Sequence, residues 1–414
     1  MPQPTPLLEP SQDAADVLAG LRRFVAGAVE PHRARLQPIL DDPYVLHGPD
    51  GRLHPDVTEA RRQIRLAAAE AGYYQLFAPE DVGGAGLDLT TLYIVWHDLY
   101  RQDGMRGWLS FDAVAHWATG PSHLLRELTP EAKAAHHDKI LAGEETLCFA
   151  LSEADAGSDL WRMQSRAEPT ADGGWVLDGE KQWITNGPYA DLAIVFAVTD
   201  RERAAARTGG ISAFLVPMST PGAEVSTVLR LYGHVGSNEA TLAFHDVHLP
   251  AGSLLGTEGD GLDLALSGTS VGRVYNAARA TGVAAWALRT ATEYASDRIT
   301  FGKPIIEHQG VAFSLAEAAT ETLAAHLLGL HAAATIDAGG EGLAELAIAK
   351  SYATESAVRT IDRAVQNLGG MGLTNEVHLQ AAWQEIRAVC IADGSAEMMR
   401  RLVARRLSQG KVRY

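Results

Sequence analysis

The chain has 414 residues, of which 46% are hydrophobic and 21% are charged, so it is long enough for two or three packed units of ordinary globular composition. The formal net charge of −16 provides no basic surface for nucleic acid, and no run approaches the roughly 18 apolar residues of a membrane-spanning helix. We therefore expect neither nucleic-acid binding nor membrane insertion. The only cysteines, Cys148 and Cys390, are too few for a disulfide framework and favour a cytoplasmic location.

The first part of the chain has the patterning of a helical domain, which we assign to 1–145. Residues 1–18 lack the basic and apolar regions of a secretion signal, so we expect a flexible lead-in there. A helix is predicted over 57–72, and Thr129-Pro130-Glu131 has the cap, proline and acidic residue that begin another. Between these helices, the glycine-rich segment 79–86 is predicted to be a loop.

Short apolar runs dominate 146–260, which we expect to form a central antiparallel β domain. The runs 175–177, 192–199, 211–217 and 240–247 are apolar and bounded by loops, and Asp178-Gly179 is predicted to be the turn that ends the first of them.

Helical periodicity returns after 261 and predicts a C-terminal helical bundle over 261–414. Breaks in it are predicted at 369–372 and 393–394. The order helical, β, helical excludes a doubly wound nucleotide-binding fold and predicts an α+β multidomain chain. The apolar residues that recur three or four positions apart in this part are Leu315, Ala319, Leu323, Leu327 and Leu330.

Several common catalytic signatures are absent from the sequence. It contains no Gly-x-Gly-x-x-Gly after a strand, no Walker-type phosphate loop, no His-Glu-x-x-His, no metal-spaced Cys/His cluster and no Gly-x-Ser-x-Gly elbow. The histidine pairs at 136–137 and 245–248 are interpreted as surface or strand residues. No metal site is therefore predicted.

Four segments suit the binding of a planar, phosphorylated ligand. The first, 149–159 (FALSEADAGSD), leads from a strand into a loop of small and hydroxyl residues whose amides can face a ring or a phosphate. In the second, 181–187 (KQWITNG), Trp183 offers a flat face and Thr185 a hydroxyl on the same side of a strand. Their structural alternatives are a strand connection and a core tryptophan before a turn.

The other two segments lie in the C-terminal helical part. In 298–305 (RITFGKPI), followed by 307–309, an arginine and a threonine near a helix end can bind a pyrophosphate. In 366–372 (QNLGGMG), the glycines permit close backbone approach to a ligand. A helix C-terminus and a simple helix break are the structural alternatives.

Together with 79–84 (PEDVGG), these segments in this order and spacing resemble the acyl-CoA dehydrogenase family over about 71–406. The resemblance implies an N-terminal helical domain, a central β domain and a C-terminal four-helix bundle. It implies FAD bound between the subunits of a homotetramer or homodimer, an acyl-CoA substrate, and an electron-transfer flavoprotein as partner in fatty acid metabolism.

The family's cofactor contacts carry over residue by residue as implied roles. An acidic residue at 397 would be unfavourable near a phosphate unless it turns away or binds a ribose. The implied FAD residues are Phe149, Leu151, Ser152, Trp183, Ile184 and Thr185 at the isoalloxazine; Gly157 and Ser158 near a phosphate or the CoA arm; Arg298, Thr300, Phe301, His308, Gln366, Gly369 and Gly370 from a neighbouring subunit; and Ser395 and Glu397 near the FAD phosphates.

Removal of a thioester α-proton, which is weakly acidic, needs a positioned base. The family commonly places a glutamate shortly before the final helix, and the matching stretch 391–395 (IADGS) gives Asp393. Some members place the base on an earlier helix, but the matching position here is Gly272, before Arg273. The Ala-Asp-Gly loop resembles a subgroup of the family, and Ser158, Arg273 and Gly394 are the implied substrate contacts. The structural alternative for Asp393 is a helix N-cap.

A base one methylene shorter than glutamate, with alanine in place of the adjacent tyrosine, favours a wide or branched acyl group. Four other functions remain open on the same fold: a flavin-dependent oxidase, a flavin-dependent monooxygenase, a non-oxidative acyl-CoA lyase, and a non-catalytic acyl-CoA-binding homologue.

Overall fold

The structure is a computed structural model that describes residues 11–231 and 239–412. The first ten residues of the expected lead-in lie outside this range. The rest of that segment is not a flexible lead-in, because a helix begins at Gln12 and buries Ala14 and Leu18. The N-terminal helices are α1 (Gln12–Phe24), α2 (Glu30–Leu40), α3 (Pro43–Leu46), α4 (Pro55–Glu70), α5 (Leu89–Asp103), α6 (Pro130–Ala132) and α7 (Asp138–Leu141).

Local signals in the N-terminal region are confirmed. The helix predicted over 57–72 is α4, and the Thr129 hydroxyl accepts from the Ala132 amide to cap α6. The segment 79–86 is a loop with one short 3-10 turn. Its Gly84 is required by packing, because a Cβ there would lie 1.9 Å from the Ala78 carbonyl oxygen.

The central region is one mixed sheet with the order β6-β7-β3-β2-β4-β5-β8, and β1 pairs with β4 off this path. Most pairs are antiparallel as predicted, but β1 and β2 run parallel to β4, since the chain crosses over between them. The strands are β1 (Leu147–Ala150), β2 (Arg166–Pro169), β3 (Trp175–Thr185), β4 (Leu192–Val198), β5 (Ile211–Pro217), β6 (Ala223–Leu229), β7 (Glu239–Leu249) and β8 (Leu254–Leu255). One short helix, α8 (Arg201–Ala205), lies between β4 and β5.

The turn predicted at Asp178-Gly179 is wrong. Strand β3 continues through this pair with a shift in its register against β7. A Cβ at position 179 would lie 2.2 Å from the Ser165 hydroxyl, so the glycine permits close approach of a neighbouring segment instead of a turn. A second register shift follows between Lys181 and Ile184. It turns Trp183 outward.

The C-terminal region is helical, with a two-strand hairpin between its first two helices. Long helices α9, α10 and α11 pack against one another, and α9 and α10 also pack against α5, so the two helical regions share a core. The elements are α9 (Gly261–Asp297), β9 (Ile299–Thr300), β10 (Lys303–Pro304), α10 (Gln309–Asp337), α11 (Leu343–Leu368), α12 (Leu379–Val389) and α13 (Ala396–Ser408).

The periodic leucines of the C-terminal region form a helix, α10, as predicted, but not a buried stripe. Leu315 is buried, whereas Leu323 is 48% exposed and Leu327 is 36% exposed. The predicted breaks are confirmed by a 3-10 turn at Gly369–Leu373 and by the loop before α13. Within the described ranges, no helix is both long enough and apolar enough to cross a membrane.

Candidate active site

Asp393 lies in the loop between α12 and α13, in a left-handed backbone conformation (φ +52°). Its Oδ2 accepts a hydrogen bond of 2.7 Å from the Asn276 side-chain amide on α9. The cap of α13 is Ser395, whose hydroxyl accepts from the Met398 amide. The N-cap alternative for Asp393 is therefore wrong, and its side chain points into the protein instead.

The surroundings of the Asp393 carboxyl act on its pKa in opposite directions. Burial raises the pKa and is the largest effect, while the charges of Lys350, Arg273 and Arg279 and the Asn276 hydrogen bond lower it. The net result is a raised pKa. A carboxylate with a raised pKa is a stronger base, which suits proton abstraction from carbon.

Gly272 leaves the space that Asp393 occupies. A Cβ at position 272 would lie 2.9 Å from Asp393 Oδ2 and 2.8 Å from the indole nitrogen of Trp117. The two positions that the family resemblance implies for a base are therefore neighbours in space in this chain. Only one of them holds a carboxylate.

An aromatic contact connects Asp393 to the β domain. The ring of Trp117 lies 4.9 Å from that of Phe149, edge to face, and Phe149 packs on Phe196 at 4.8 Å. Phe149 belongs to β1, the strand that leads into the first predicted ligand-binding segment. Asp393 and this segment are thus brought together by the fold.

Strand β3 carries the second predicted ligand-binding segment beside the first. The Gln182 amide donates to the Ser152 carbonyl at 2.9 Å, which joins the two segments. Trp183 is 54% exposed with φ +64°, so an indole face is presented outward at a bulge. Thr185 is exposed and donates to Glu239 at 3.3 Å. Ile184 is buried in the sheet, so only its backbone is available to a ligand.

A buried ion pair that the sequence analysis missed supports the loop after β1. Lys181 Nζ is fully buried and donates to Glu153 Oε1 at 2.7 Å and to the Leu151 carbonyl at 3.2 Å. Glu153 also accepts the amides of Gln164 and Ser165. Both charged residues lie within the first two predicted ligand-binding segments. The lysine inside a strand pattern was the sequence feature that could have indicated the buried ion pair.

A small cavity lies beside Trp117. It is lined by α5, by segment 115–123 and by α9, including Trp96, His116 and Tyr275. His116 Nδ1 accepts from the Ala118 amide, and burial lowers the His116 pKa to about 3, so the ring is neutral with its proton on Nε2. Among the described residues, the buried Trp117 N–H has no acceptor.

The hairpin residues lie far from Asp393 within one chain. Asn276 and Asp297 are 21 positions apart on α9, a distance of about 30 Å at 1.5 Å per residue. Arg298 and Phe301 follow Asp297. The chain therefore presents two separate sets of predicted residues.

The second set contains two segments near the start of α10. Phe301 is 98% exposed with φ +50°, and the Thr300 hydroxyl lies 3.3 Å from His308 Nε2. The Asn367 amide donates to Ser314 on α10, which places the second glycine segment nearby. The members of this set are Arg298, Thr300, Phe301, His308, Gln366, Gly369 and Gly370.

Four further predicted contacts lie on exposed or partly exposed backbone. A Cβ at Gly157 would meet no atom within 4 Å, and Ser158 is exposed. The Ser395 hydroxyl is engaged as a cap, and Glu397 is exposed on the first turn of α13. A carboxylate at this position interacts favourably with the dipole at the helix N-terminus, but it would repel a phosphate.

The comparisons with known proteins identify the family of the chain. The family model "Acyl-CoA dehydrogenase, middle domain" matches residues 148–247, and "Acyl-CoA dehydrogenase, C-terminal domain" matches residues 259–408. The chain is 36% identical over 333 residues to the short-chain specific acyl-CoA dehydrogenase of Homo sapiens, covering 80% of this chain and 79% of that protein. It is 34% identical over 348 residues to an acyl-CoA dehydrogenase of Bacillus subtilis (84% and 90%).

A solved structure of glutaryl-CoA dehydrogenase from Mycobacterium smegmatis with FADH2 has the same fold. Its TM-score is 0.78 at 26% identity, covering 99% of this chain and 97% of that one. The fold and the site define a flavin-dependent oxidoreductase. The chain belongs to the acyl-CoA dehydrogenase family, whose cofactor is FAD.

The residues of the site suit that cofactor. A planar ring needs a flat partner and hydroxyl donors, which the outward indole of Trp183 and the hydroxyls of Ser152 and Thr185 supply. A phosphate needs open backbone, and a Cβ on Gly157, Gly369 or Gly370 would meet nothing within 4 Å.

Proposed function

We propose that this protein dehydrogenates an acyl-CoA thioester between its α and β carbons, with Asp393 as the base that takes the α-proton. FAD, when bound, accepts the β-hydrogen as hydride. The observation that supports this role is the enclosed carboxyl group, which is held by Asn276 beside the aromatic pair Trp117–Phe149. Because Asn276 binds Oδ2, Oδ1 is the oxygen that receives the proton.

We propose that FAD binds between two copies of this chain. The ring would lie against Phe149, Leu151, Ser152 and the 183–185 bulge of one copy. The hairpin set of the other copy would hold the ADP part, together with contacts at Gly157, Ser158, Ser395 and Glu397. The separation of about 30 Å along α9 between Asn276 and Asp297 supports this arrangement.

A second copy also accounts for the exposed apolar side chains around the hairpin. Such a patch is typical of a protein–protein interface, and two copies in a dimer or tetramer would cover it. Its members include Ile299 (62% exposed), Phe301 (98%), Phe313 (60%) and Leu373 (67%).

We propose that Ser158, Arg273 and Gly394 contact the substrate and that the acyl group is wide or branched. The short side chain of Asp393 and the alanine at position 392 support this preference over a plain straight chain. We further propose membership of the Ala-Asp-Gly subgroup, an electron-transfer flavoprotein as electron acceptor, a cytoplasmic location, and a role in fatty acid metabolism.

Anaerobic stopped-flow mixing with butyryl-, isovaleryl- and 3-phenylpropionyl-CoA tests the reaction directly. We expect the flavin absorbance to bleach with at least one of them. Asp393→Asn should slow bleaching by about 10²–10⁴-fold, the usual contribution of a general base. Asp362→Asn, the same change at an exposed position of α11, is the matched control and should bleach at the wild-type rate.

Other outcomes distinguish the alternatives. If no acyl-CoA bleaches the wild-type flavin, the remaining candidate functions are a lyase and a non-catalytic binding protein. Rapid reoxidation of the bleached flavin by air would indicate an oxidase or monooxygenase. Unchanged bleaching in Asp393→Asn would remove Asp393 as the base.

A further inference from the structure

Lys350, on α11, has an unusual set of partners for a buried charge. Its side chain is fully buried. In the described parts of the chain, no carboxylate lies within ion-pair distance of it. Instead, Nζ donates to three backbone carbonyls of one short loop: Cys390 at 3.4 Å, Ala392 at 2.9 Å and Gly394 at 2.7 Å. A buried ammonium is retained at a cost in desolvation, so this arrangement requires an explanation.

That loop is the one that carries Asp393. A second cation holds it from the other side, since Arg273 Nε donates to the Asp393 carbonyl at 3.4 Å. Four carbonyls between positions 390 and 394 therefore accept hydrogen bonds from two positive side chains. No side chain of the loop is involved in these bonds.

The loop needs this support because its backbone is strained. Asp393 has φ +52° and Gly394 has φ +94°, so two successive residues are left-handed. Such a conformation is unfavourable for a residue with a side chain. Here it points the carboxyl inward, to Asn276, while the chain reverses from α12 into α13.

We propose that Lys350 is a positioning residue for the reaction: its ammonium fixes the 390–394 loop so that the Asp393 carboxyl faces the substrate, and its charge favours the ionised carboxylate. This inference rests on the proposed role of Asp393 as the base. Lys350 touches neither substrate nor cofactor in this scheme.

Electrostatics agree with the geometry. Burial lowers the pKa of Lys350 to about 8, with Asp393, Cys390 and Glu355 favouring the charged form and Arg273 opposing it. The ammonium is therefore the main form at neutral pH. A neutral amine has only two N–H donors and cannot serve three carbonyls.

The test is Lys350→Met, which keeps the length and apolar volume of the side chain. With the acyl-CoA that bleaches wild type fastest, we expect the limiting rate of flavin reduction to fall about 100-fold, the effect of a misplaced reacting group. The acyl-CoA dissociation constant, from spectral titration, should change less than about threefold. The acidic limb of the pH–rate profile should move to higher pH, because Asp393 loses a neighbouring positive charge.

Arg22→Met is the matched control, because it removes a cation from the ion pair with Asp98 between α1 and α5. It should leave the rate and the acidic limb unchanged. A Lys350→Met enzyme with the wild-type rate and an unmoved limb would overturn the inference. If the wild-type flavin bleaches in the same experiment, the proposed function is retained even when the inference about Lys350 fails.

If Lys350→Met does not fold, the pH–rate profile of the wild-type enzyme tests the role of Lys350. Deprotonation of Lys350 should lower the reduction rate above pH 8 while acyl-CoA affinity is retained. Lys350→Arg, whose guanidinium stays charged, should lack this alkaline limb. A wild-type rate that is constant from pH 7 to about 9.5 would overturn the inference without any variant.

Discussion

Replacing Glu153 by glutamine should leave the ammonium of Lys181 without a charged partner inside the β domain. Lys181 is fully buried, and its two acceptors are Glu153 Oε1 at 2.7 Å and the Leu151 carbonyl at 3.2 Å. The same carboxylate accepts the amides of Gln164 at 2.6 Å and Ser165 at 3.0 Å. Removal of one partner of a buried pair costs about 3–5 kcal/mol, because the remaining charge is uncompensated.

Urea denaturation at pH 7 measures this cost. We expect the unfolding free energy of Glu153→Gln to fall by about 3 kcal/mol, and its FAD content to fall because the loop after β1 is released. Asp81→Asn, which breaks the exposed ion pair with Arg126, is the control and should cost at most about 1 kcal/mol.

The double variant Glu153→Gln/Lys181→Met separates lost charge compensation from lost packing. It removes the buried ammonium together with its partner, so it should be more stable than Glu153→Gln alone. A double variant no more stable than the single one would refute the reasoning. The cost would then lie in the amide hydrogen bonds of the loop.

Two further predictions follow from side chains buried near the site and in the shared helical core. Gly272→Ala places a methyl group 2.9 Å from Asp393 Oδ2, so we expect normal FAD content but flavin reduction slowed about 10–100-fold by displacement of the base; an unaltered rate would contradict the geometry. Burial lowers the pKa of His97 well below its usual range, that of His116 to about 3 and that of His326 to about 4, so the unfolded state takes up protons that the folded state does not. Stability is full above pH 6.5 and should fall by up to about 1.4 kcal/mol per pH unit per histidine as the pH decreases toward 4; His326→Asn should reduce this slope, and equal urea midpoints at pH 7 and pH 5 would exclude the effect.

Elements decided by neighbouring residues were predictable from the sequence. Strand β5 has the predicted bounds, 211–217, because a continuous apolar run between loops has few other folded forms. Thr129 caps its helix through an amide three residues away, a contact that local sequence determines.

Features decided by distant residues were not predictable. Asp178-Gly179 has the composition of a turn, but Ser165 from another segment occupies the space beside Gly179 and keeps the strand continuous. A helix cap was the structural alternative for Asp393, but the cap of the last helix is Ser395. The choice depends on Asn276, more than a hundred residues earlier, which binds the aspartate and leaves the cap to the serine.

The order of the family motifs indicated Asp393 as the proposed base but not the groups that act on its pKa. Burial alone would raise the pKa of a carboxyl group, so that the group would be protonated at neutral pH and could not act as a base. Lys350, Arg273 and Arg279 oppose the effect of burial on Asp393, and none of them is adjacent to it in sequence. The pKa of the base therefore depends on a balance between enclosure, which strengthens the base, and three cations, which keep it ionised. Variants that remove one of these cations should shift the acidic limb of the rate profile in the same direction as Lys350→Met, and a limb that moves the opposite way would show that these cations do not keep the carboxylate ionised.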